Sequence, residues 1–181
     1  MALGSLPAWR RRLDLYEANV VGWARAFGCD YLCVTDPNGL ELALVEEAML
    51  HPSDALKPRV RRLRSVEIQV GDGDARIHGL ATALGFAQMG QEGPLTRFSA
   101  THSLQPIEID VLQTAEPYVS SKPGGRVLAV VFSVDNVIGL GRLAAKLIAA
   151  GFQLEASAGA GRFMITGFDG WSVAIGAASL R

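Results

Sequence analysis

The most restrictive feature of the sequence is an internal repeat, because a repeated unit limits the fold to architectures built from copies of it. The segment "VEIQV…ATALGF…IEIDV" aligns with "VLAVVFSV…LIAAGF…WSVAIG", and Gly85 and Gly151 fall at the same point of the two copies. Apolar alternation predicts strands, and helical spacing before each glycine predicts a helix. Each copy therefore predicts a strand, a helix and three strands, which is an α+β fold made of repeated βαβββ modules.

The repeat also sets the expected domain organisation. One complete module is predicted over residues 63–115 and another over residues 126–181, with a linker over residues 116–125 between them. The segments expected to form strands are "SVEIQV", "LTRFSAT" and "PIEIDVLQ" in the first copy, and "RVLAVVFSV", "GFQLEAS", "GRFMITGF" and "WSVAIGA" in the second. The helices are expected to end at the two equivalent glycines.

Residues 1–50 predict an incomplete module of one helix and three strands. The helix is expected over residues 6–18, with Ser5 as its cap and three residues at the spacing of a core-facing stripe: Trp9, Leu13 and Tyr16. The strands are "VVGWAR", "DYLCVT" and "LELALVE". A tight turn at Pro37–Asn38–Gly39 joins the last two, since Asn-Gly supplies the positive φ that a hairpin needs. A linker over residues 51–62 follows.

Composition limits the classes of partner. Of 181 residues, 49% are apolar and 19% are charged, which is typical of a globular protein, and the net charge of −1 gives no general case for nucleic acid or an anionic membrane. The apolar runs are shorter than the roughly 20 residues that span a bilayer, and the N-terminus carries no signal pattern. We therefore expect a cytoplasmic protein without nucleic acid or membrane as a partner, and with free thiols at Cys29 and Cys33.

The order of these features resembles the vicinal oxygen chelate superfamily, which includes glyoxalase I, bleomycin-resistance proteins and extradiol ring-cleaving dioxygenases. The resemblance is carried by the "LGF" and "AGF" helix ends and by the "DPNG" and "FDG" hairpins before each last strand. The finer resemblance is to the ring-cleaving branch that acts on hydroquinone-like substrates, because "FGCDYLCVTDPNGLELALVE", a proline-containing linker and "RRLRSVEIQV" are similar to the passage from its second module to its third. The resemblance implies curved mixed sheets. It also implies that this chain holds about two and three-quarter modules of the family's four, because the first module and the opening strand of the second have no counterpart here.

The resemblance also implies where a metal would bind. Family members hold Fe(II) or Mn(II) with His on first strands and Glu on a last strand, a donor set that suits these metals. The matching positions of this sequence carry no histidine or glutamate; they are Ser65, Leu128 or Ala129, Ala174 and Ala43, with only Asp110 acidic. The resemblance thus implies that the family metal is absent, that no cofactor is bound and that this chain contributes no metal ligand.

Polar side chains that could act chemically remain in the module predicted over residues 63–115. Strand alternation puts Ser65, Glu67 and Gln69 on one face, and Glu108 and Asp110 share a face of a later strand. If these faces form one wall, carboxylates crowd a single cavity, and such crowding is how general acid–base sites are made. Glu67 and Asp110 are the candidate catalytic residues. The alternative is a row of acids exposed to solvent.

Other side chains are candidates for ligand binding. Arg97 can pair with the acids or bind a substrate anion, and His102 can border a pocket or simply occupy a turn. The complete ligand-binding set is Ser65, Gln69, Arg97, His102 and Glu108. His51 and His78 are expected at the surface. The small apolar face of Ala129, Val131 and Ser133 suits either a dry pocket for an aromatic ligand or self-association.

Three functions stay open. The first is a diverged protein that acts on a small aromatic or polyketide-like molecule without metal, by acid–base catalysis. The second is a non-catalytic small-molecule binding or resistance protein. The third is a metal-dependent ring-cleaving dioxygenase completed by another chain. The resemblance also predicts a homodimer, because the absent opening strand leaves a sheet edge that needs a partner.

Overall fold

The computed structural model of the chain describes residues 5–37, 39–46, 63–71, 76–100, 107–115, 129–134, 137–156, 161–168 and 171–177. The predicted linkers lie outside these ranges, and so do His51, His102 and Leu128. The chain divides into two compact units. Among the described residues, no helix has the length and apolar character needed to cross a membrane.

The elements follow the order that the repeat predicts. The first unit contains helix α1 (Leu6–Leu15) and strands β1 (Asn19–Ala26), β2 (Cys29–Thr35) and β3 (Glu41–Val45). The second unit begins with a middle module, made of β4 (Ser65–Gly71), α2 (Arg76–Ala83), β5 (Phe86–Glu92), β6 (Leu95–Ala100) and β7 (Glu108–Thr114). It continues with a last module, made of β8 (Ala129–Val134), α3 (Val137–Ala149), β9 (Leu154–Ala156), β10 (Arg162–Phe168) and β11 (Trp171–Ala177).

The two modules of the second unit have the same sheet topology. The middle sheet has the order β4-β7-β6-β5 and the last sheet has the order β8-β11-β10-β9. In each, the first strand pairs parallel with the last strand, and the remaining pairs are antiparallel. The predicted α+β fold of repeated βαβββ modules with mixed sheets is confirmed.

Both helices of the second unit end at the predicted glycines. Gly85 has a φ of 89° and Gly151 has a φ of 88°, and this left-handed conformation lets the chain leave the helix without the steric cost of a Cβ. The strand that follows α2 was not among the segments predicted from the sequence. Residues Phe86–Glu92 are mostly exposed, and apolar and polar residues do not alternate along them, so no such pattern marks them as β5.

One continuous core joins the middle and last modules. Alternate residues of each sheet face the helices, and the buried members include Ile68, Val70, Ile109 and Val111 in the middle sheet and Phe163, Ile165, Val173 and Ile175 in the last sheet. Helix α2 contributes Ile77 and Leu80, and α3 contributes Leu140 and Leu147. A second contact across the modules is the edge-to-face pair of Phe86 and Phe132, whose ring centroids are 5.9 Å apart.

The first unit packs α1 on a three-stranded sheet with the order β1-β2-β3. Leu6, Leu32 and Val34 are buried, and Trp9 and Leu13 pack against them as predicted. The prediction for Tyr16 is wrong: the helix ends at Leu15, and Tyr16 is 75% exposed. The chain turns there toward β1, so the helical spacing that would have placed Tyr16 in the core no longer applies.

Ser5 occupies the N-cap position of α1 as predicted, but its side chain does not cap the helix. Ser5 makes no side-chain hydrogen bond to the helix, and its buried hydroxyl has no partner among the described residues. The backbone N–H of Leu6 instead donates to Oε1 of Glu46 at 2.7 Å, forty positions along the chain. A carboxylate here satisfies an unpaired N–H and complements the positive end of the helix dipole.

The tight turn between β2 and β3 is present. Asp36 accepts hydrogen bonds from the N–H of Leu40 through its side chain at 2.7 Å and from the N–H of Gly39 through its carbonyl at 3.0 Å. Gly39 has a φ of 88°, which explains the need for glycine at this position. Cys29 and Cys33 of β2 are half-buried, and neither forms a disulfide in the part of the chain that the structure describes.

Candidate functional site

Each sheet of the second unit has one face in the common core and one face that points away from it, which we call the helix-free face. On β4, Ile68 and Val70 are buried in the core. Ser65, Glu67 and Gln69 alternate with these residues and therefore lie on the helix-free face, as predicted. On β7 the same alternation puts Glu108 and Asp110 on the helix-free face, because Ile109 and Val111 are in the core.

Three of the predicted site residues form a row across the middle sheet. Asp110 of β7 lies opposite Glu67 of β4 on one side and opposite Arg97 of β6 on the other. We call Glu67, Asp110 and Arg97 the charged row. The sequence pattern placed these residues on faces of single strands, and the sheet register brings them together.

Arg97 and Asp110 form a buried ion pair. Nε of Arg97 donates to Oδ1 of Asp110 at 2.7 Å, and Nη2 donates to Oδ2 at 2.8 Å. Each residue is only 5% exposed. Such a two-point contact is the strongest geometry for a guanidinium and a carboxylate, and it offsets the cost of burying both charges. The sequence left two roles open for Arg97, pairing with the acids or binding a substrate anion, and in the structure Arg97 pairs with Asp110.

The neighbouring carboxylate is also matched by arginine. Glu108 lies opposite Ser65, and its Oε2 accepts from Nε of Arg64 at 2.9 Å and lies 3.5 Å from Nε of Arg97. The carboxylates of β7 therefore do not stand alone in a crowded acidic cavity. Glu67, which is exposed, is the carboxylate of the charged row that a ligand can reach most directly.

The last module carries a row with the opposite character at the same positions. Ala174 of β11 lies opposite Val131 of β8 and opposite Met164 of β10. We call Val131, Ala174 and Met164 the apolar row. The two rows are equivalent in the repeat. In the middle module Asp110 stands between the buried residues Ile109 and Val111, and in the last module Ala174 stands between the buried residues Val173 and Ile175. Val131 is 64% exposed although it is an apolar strand residue.

The positions where the resemblance would place metal ligands do not provide a metal donor set. Ser65 lies opposite Glu108, Ala129 lies opposite Ser172, and Ala174 is part of the apolar row. Asp110, the acidic residue at such a position, is engaged through both oxygens by Arg97. In the part of the chain that the structure describes, no group of three or more His, Cys, Asp or Glu is arranged to hold a metal.

A groove lies on the helix side of the second unit. It has a volume of about 540 Å³ and is lined mainly by α2, α3 and the β5–β6 pair, with His78, Thr82, Gln88, Phe98 and Lys146 among its residues. His78, which the sequence predicts at the surface, is half-buried in this groove and packs edge-on against Phe98 with centroids 5.2 Å apart. Its buried Nε2 has no hydrogen-bond partner among the described residues.

Comparisons with known proteins identify the fold. No protein-family model matches the chain, and no curated protein matches it. Among solved structures, it is similar to a candidate dioxygenase from Bacillus subtilis subsp. subtilis str. 168, with a TM-score of 0.76 and 15% identity over 99% of this chain and 60% of that one. It is also similar to a glyoxalase I mutant from Zea mays, with a TM-score of 0.61 and 15% identity over 94% of this chain and 63% of that one.

These similarities support the vicinal oxygen chelate fold, which glyoxalases and dioxygenases share. The chain spans 60% of the length of the Bacillus subtilis protein and 63% of that of the Zea mays protein. At this level of identity the likeness concerns the fold, and function has to be argued from the residues of the helix-free face.

Proposed function

We propose that this protein binds a small aromatic or polyketide-like molecule on the helix-free face of its second unit, without the family metal. The observation that carries the proposal is the contrast between the two rows. The same three registered positions hold Glu67, Asp110 and Arg97 in the middle module and Val131, Ala174 and Met164 in the last module. A molecule with a polar part and an apolar part matches such a surface.

The burial of the ion pair in the charged row and the exposure of Val131 in the apolar row support binding. The buried Arg97–Asp110 pair gives the charged row a rigid arrangement, whereas Val131 leaves an apolar side chain open on a strand. An apolar side chain that is exposed on a strand costs free energy in water, and a ligand that covers it removes this cost. A bound ring on the apolar row would remove this surface from water.

A second candidate function is acid–base catalysis on the bound molecule, and the position of Glu67 favours it. Glu67 is exposed and lies opposite Asp110. Because Asp110 is buried and bonded twice to Arg97, we assign Asp110 a positioning role and Glu67 the proton transfer. The third possibility, a ring-cleaving dioxygenase completed by another chain, requires metal ligands that the described residues of this chain do not provide.

The experiment is a calorimetric titration of the purified protein with a series of monocyclic aromatic and polyketide-like molecules. Val131→Asp puts a charge on the apolar row and should weaken binding by about tenfold or more, since each 1.4 kcal/mol is tenfold. Ile138→Asp is the matched control, because Ile138 is 71% exposed on α3, outside the helix-free face. Equal affinity in wild type and Val131→Asp would contradict binding at this face.

Glu67→Gln separates binding from catalysis for any molecule that the titration identifies. The amide keeps the size of the side chain and removes its capacity to accept a proton. Binding without turnover in this variant supports acid–base catalysis by Glu67. Unchanged turnover contradicts the catalytic role and leaves the binding function.

A further inference from the structure

Arg162 lies across the backbone of Gly176 on the helix-free face of the last module. The two residues are opposite each other on β10 and β11, and Ser133 of β8 lies opposite Gly176 on its other side. A Cβ atom built on Gly176 would stand 2.9 Å from Cγ of Arg162, 3.5 Å from Cδ and 3.4 Å from Nε. The arginine side chain therefore occupies the space that any side chain at position 176 would need.

Gly176 is explained by this contact rather than by its backbone conformation. It is not among the glycines with positive φ, so an alanine could adopt the same backbone angles. What glycine provides at this position is the absence of a side chain. The close approach holds the arginine against the sheet instead of leaving it free in solvent, which lowers the entropy cost of forming a bond to a ligand.

Arg162 differs from the arginines of the middle module in its charge environment. Arg64 and Arg97 are paired with the carboxylates of β7. Arg162 is exposed, and no carboxylate among the described residues pairs with it. Its guanidinium is thus a positive charge on the face where the apolar row lies.

The distance between the charge and the apolar row limits the size of the ligand. Met164 follows Arg162 by two positions on β10 and points to the same face, so the backbone positions of Arg162 and of the apolar row are about 7 Å apart along the strand. That is the span of a single ring and a short arm. Val131, Ala174 and Met164 can contact the ring, and thioether sulfur is favourable against an aromatic ring.

We propose that Arg162, held over Gly176, binds the carboxylate of a small monocyclic organic acid whose ring lies on the apolar row. The inference rests on the proposed binding function and names the ligand class. A guanidinium can donate two parallel hydrogen bonds to a carboxylate. Ser133, which is exposed and lies opposite Gly176 on β8, carries a hydroxyl that can donate as well.

The test is a calorimetric titration with three acids and their neutral amides: benzoate and benzamide, phenylacetate and phenylacetamide, 3-phenylpropanoate and 3-phenylpropanamide. The wild-type protein should bind at least one acid about tenfold or more tightly than its amide, since charge-assisted hydrogen bonds exceed neutral ones by this order. The preference should fall as salt is raised, because the charge on Arg162 is exposed to screening.

Two variants and a control locate the charge. Arg162→Met keeps an apolar stem and should abolish the preference for the acid. Gly176→Ala should do the same by displacing the arginine, while the circular dichroism spectrum stays native. Arg142→Met removes another exposed arginine, on α3, and should leave the preference intact.

The outcomes distinguish this inference from the proposed function. If acids and amides bind equally to the wild type, the role of Arg162 is overturned and the binding function stands. If neither class binds, both fail. If no probe binds and Val131→Asp converts an oligomer to a monomer in light scattering, the helix-free face is an interface between copies of this chain, and the ligand assignment is wrong.

Discussion

Arg97 and Asp110 lie opposite each other on β6 and β7 and are joined by two hydrogen bonds of 2.7 and 2.8 Å in a site where each is 5% exposed. In the last module, Met164 and Ala174 occupy the equivalent positions without any charge. One scaffold therefore carries a buried ion pair in one copy and an apolar pair in the other. Met164 and Ala174 therefore show which apolar residues can stand in place of Arg97 and Asp110 in this fold.

Removing one partner of this pair should destabilise the protein strongly. Arg97→Met leaves Asp110 buried without its partner, and Asp110→Ala leaves Arg97 in the same state, so each should lower the free energy of unfolding by about 3–5 kcal/mol. The double variant Arg97→Met/Asp110→Ala copies the last module and should recover more than half of the loss. Urea denaturation of the four proteins measures this, with the exposed pair Arg10–Asp14 as the control.

The control pair should behave differently from the buried pair. Arg10→Met removes an exposed helix ion pair whose loss should cost only about 0.5 kcal/mol. If the double variant of the buried pair is as unstable as the sum of its two single variants, the pair is not acting as a unit, and the argument from the apolar row fails.

The N-terminus of α1 should depend on Glu46 and not on Ser5. Glu46→Ala removes the acceptor of the Leu6 N–H and should lower the free energy of unfolding by about 1 kcal/mol. Ser5→Ala removes a buried hydroxyl that makes no hydrogen bond and should leave stability unchanged or slightly higher. The reverse order of the two effects in urea denaturation would restore Ser5 as the cap.

The half-buried His78 should be replaceable by phenylalanine with a gain in stability. His78→Phe keeps the edge-on ring contact with Phe98 and removes the unpaired Nε2, so the free energy of unfolding should rise by about 1 kcal/mol. His78→Ala loses the ring contact as well and should be less stable than the wild type. A loss of stability in the phenylalanine variant would mean that Nε2 has a partner in solution.

The purified protein should contain no stoichiometric iron or manganese. The positions that the resemblance implies for the metal ligands carry Ser65, Ala129 and Ala174. A serine hydroxyl is a weak ligand for these metals, and an alanine methyl group cannot bind a metal. Metal analysis by mass spectrometry after expression in iron- and manganese-supplemented medium measures the content. One equivalent of either metal, retained through dialysis against a chelator, would favour the dioxygenase alternative instead.

The protein should be a homodimer at micromolar concentration. In both complete modules the last strand has a parallel first strand beside it, whereas β3, the last strand of the first unit, pairs only with β2 among the described residues. A strand edge of this kind favours pairing with another chain. Multi-angle light scattering measures the mass, and a single monomeric species across this concentration range would contradict the prediction.

Local sequence patterns determined the order of elements in this protein. Apolar alternation and the glycines at 85 and 151 act within a few residues, so they marked the strands, both helix ends and the faces of β4 and β7 correctly. The repeat predicted three strands after α2, but local patterns did not locate β5, because apolar and polar residues do not alternate along it. The same patterns predicted which face of β4 carries Glu67 and which face of β7 carries Asp110.

Tertiary structure alone decided which of these residues meet. Arg97 contacts Asp110 because of the register between β6 and β7, and Glu46 caps α1 from forty positions away. Arg162 rests on Gly176 because β10 and β11 align those two residues. Such contacts depend on how separate segments align in space, and a pattern that extends along one segment holds no information about that alignment.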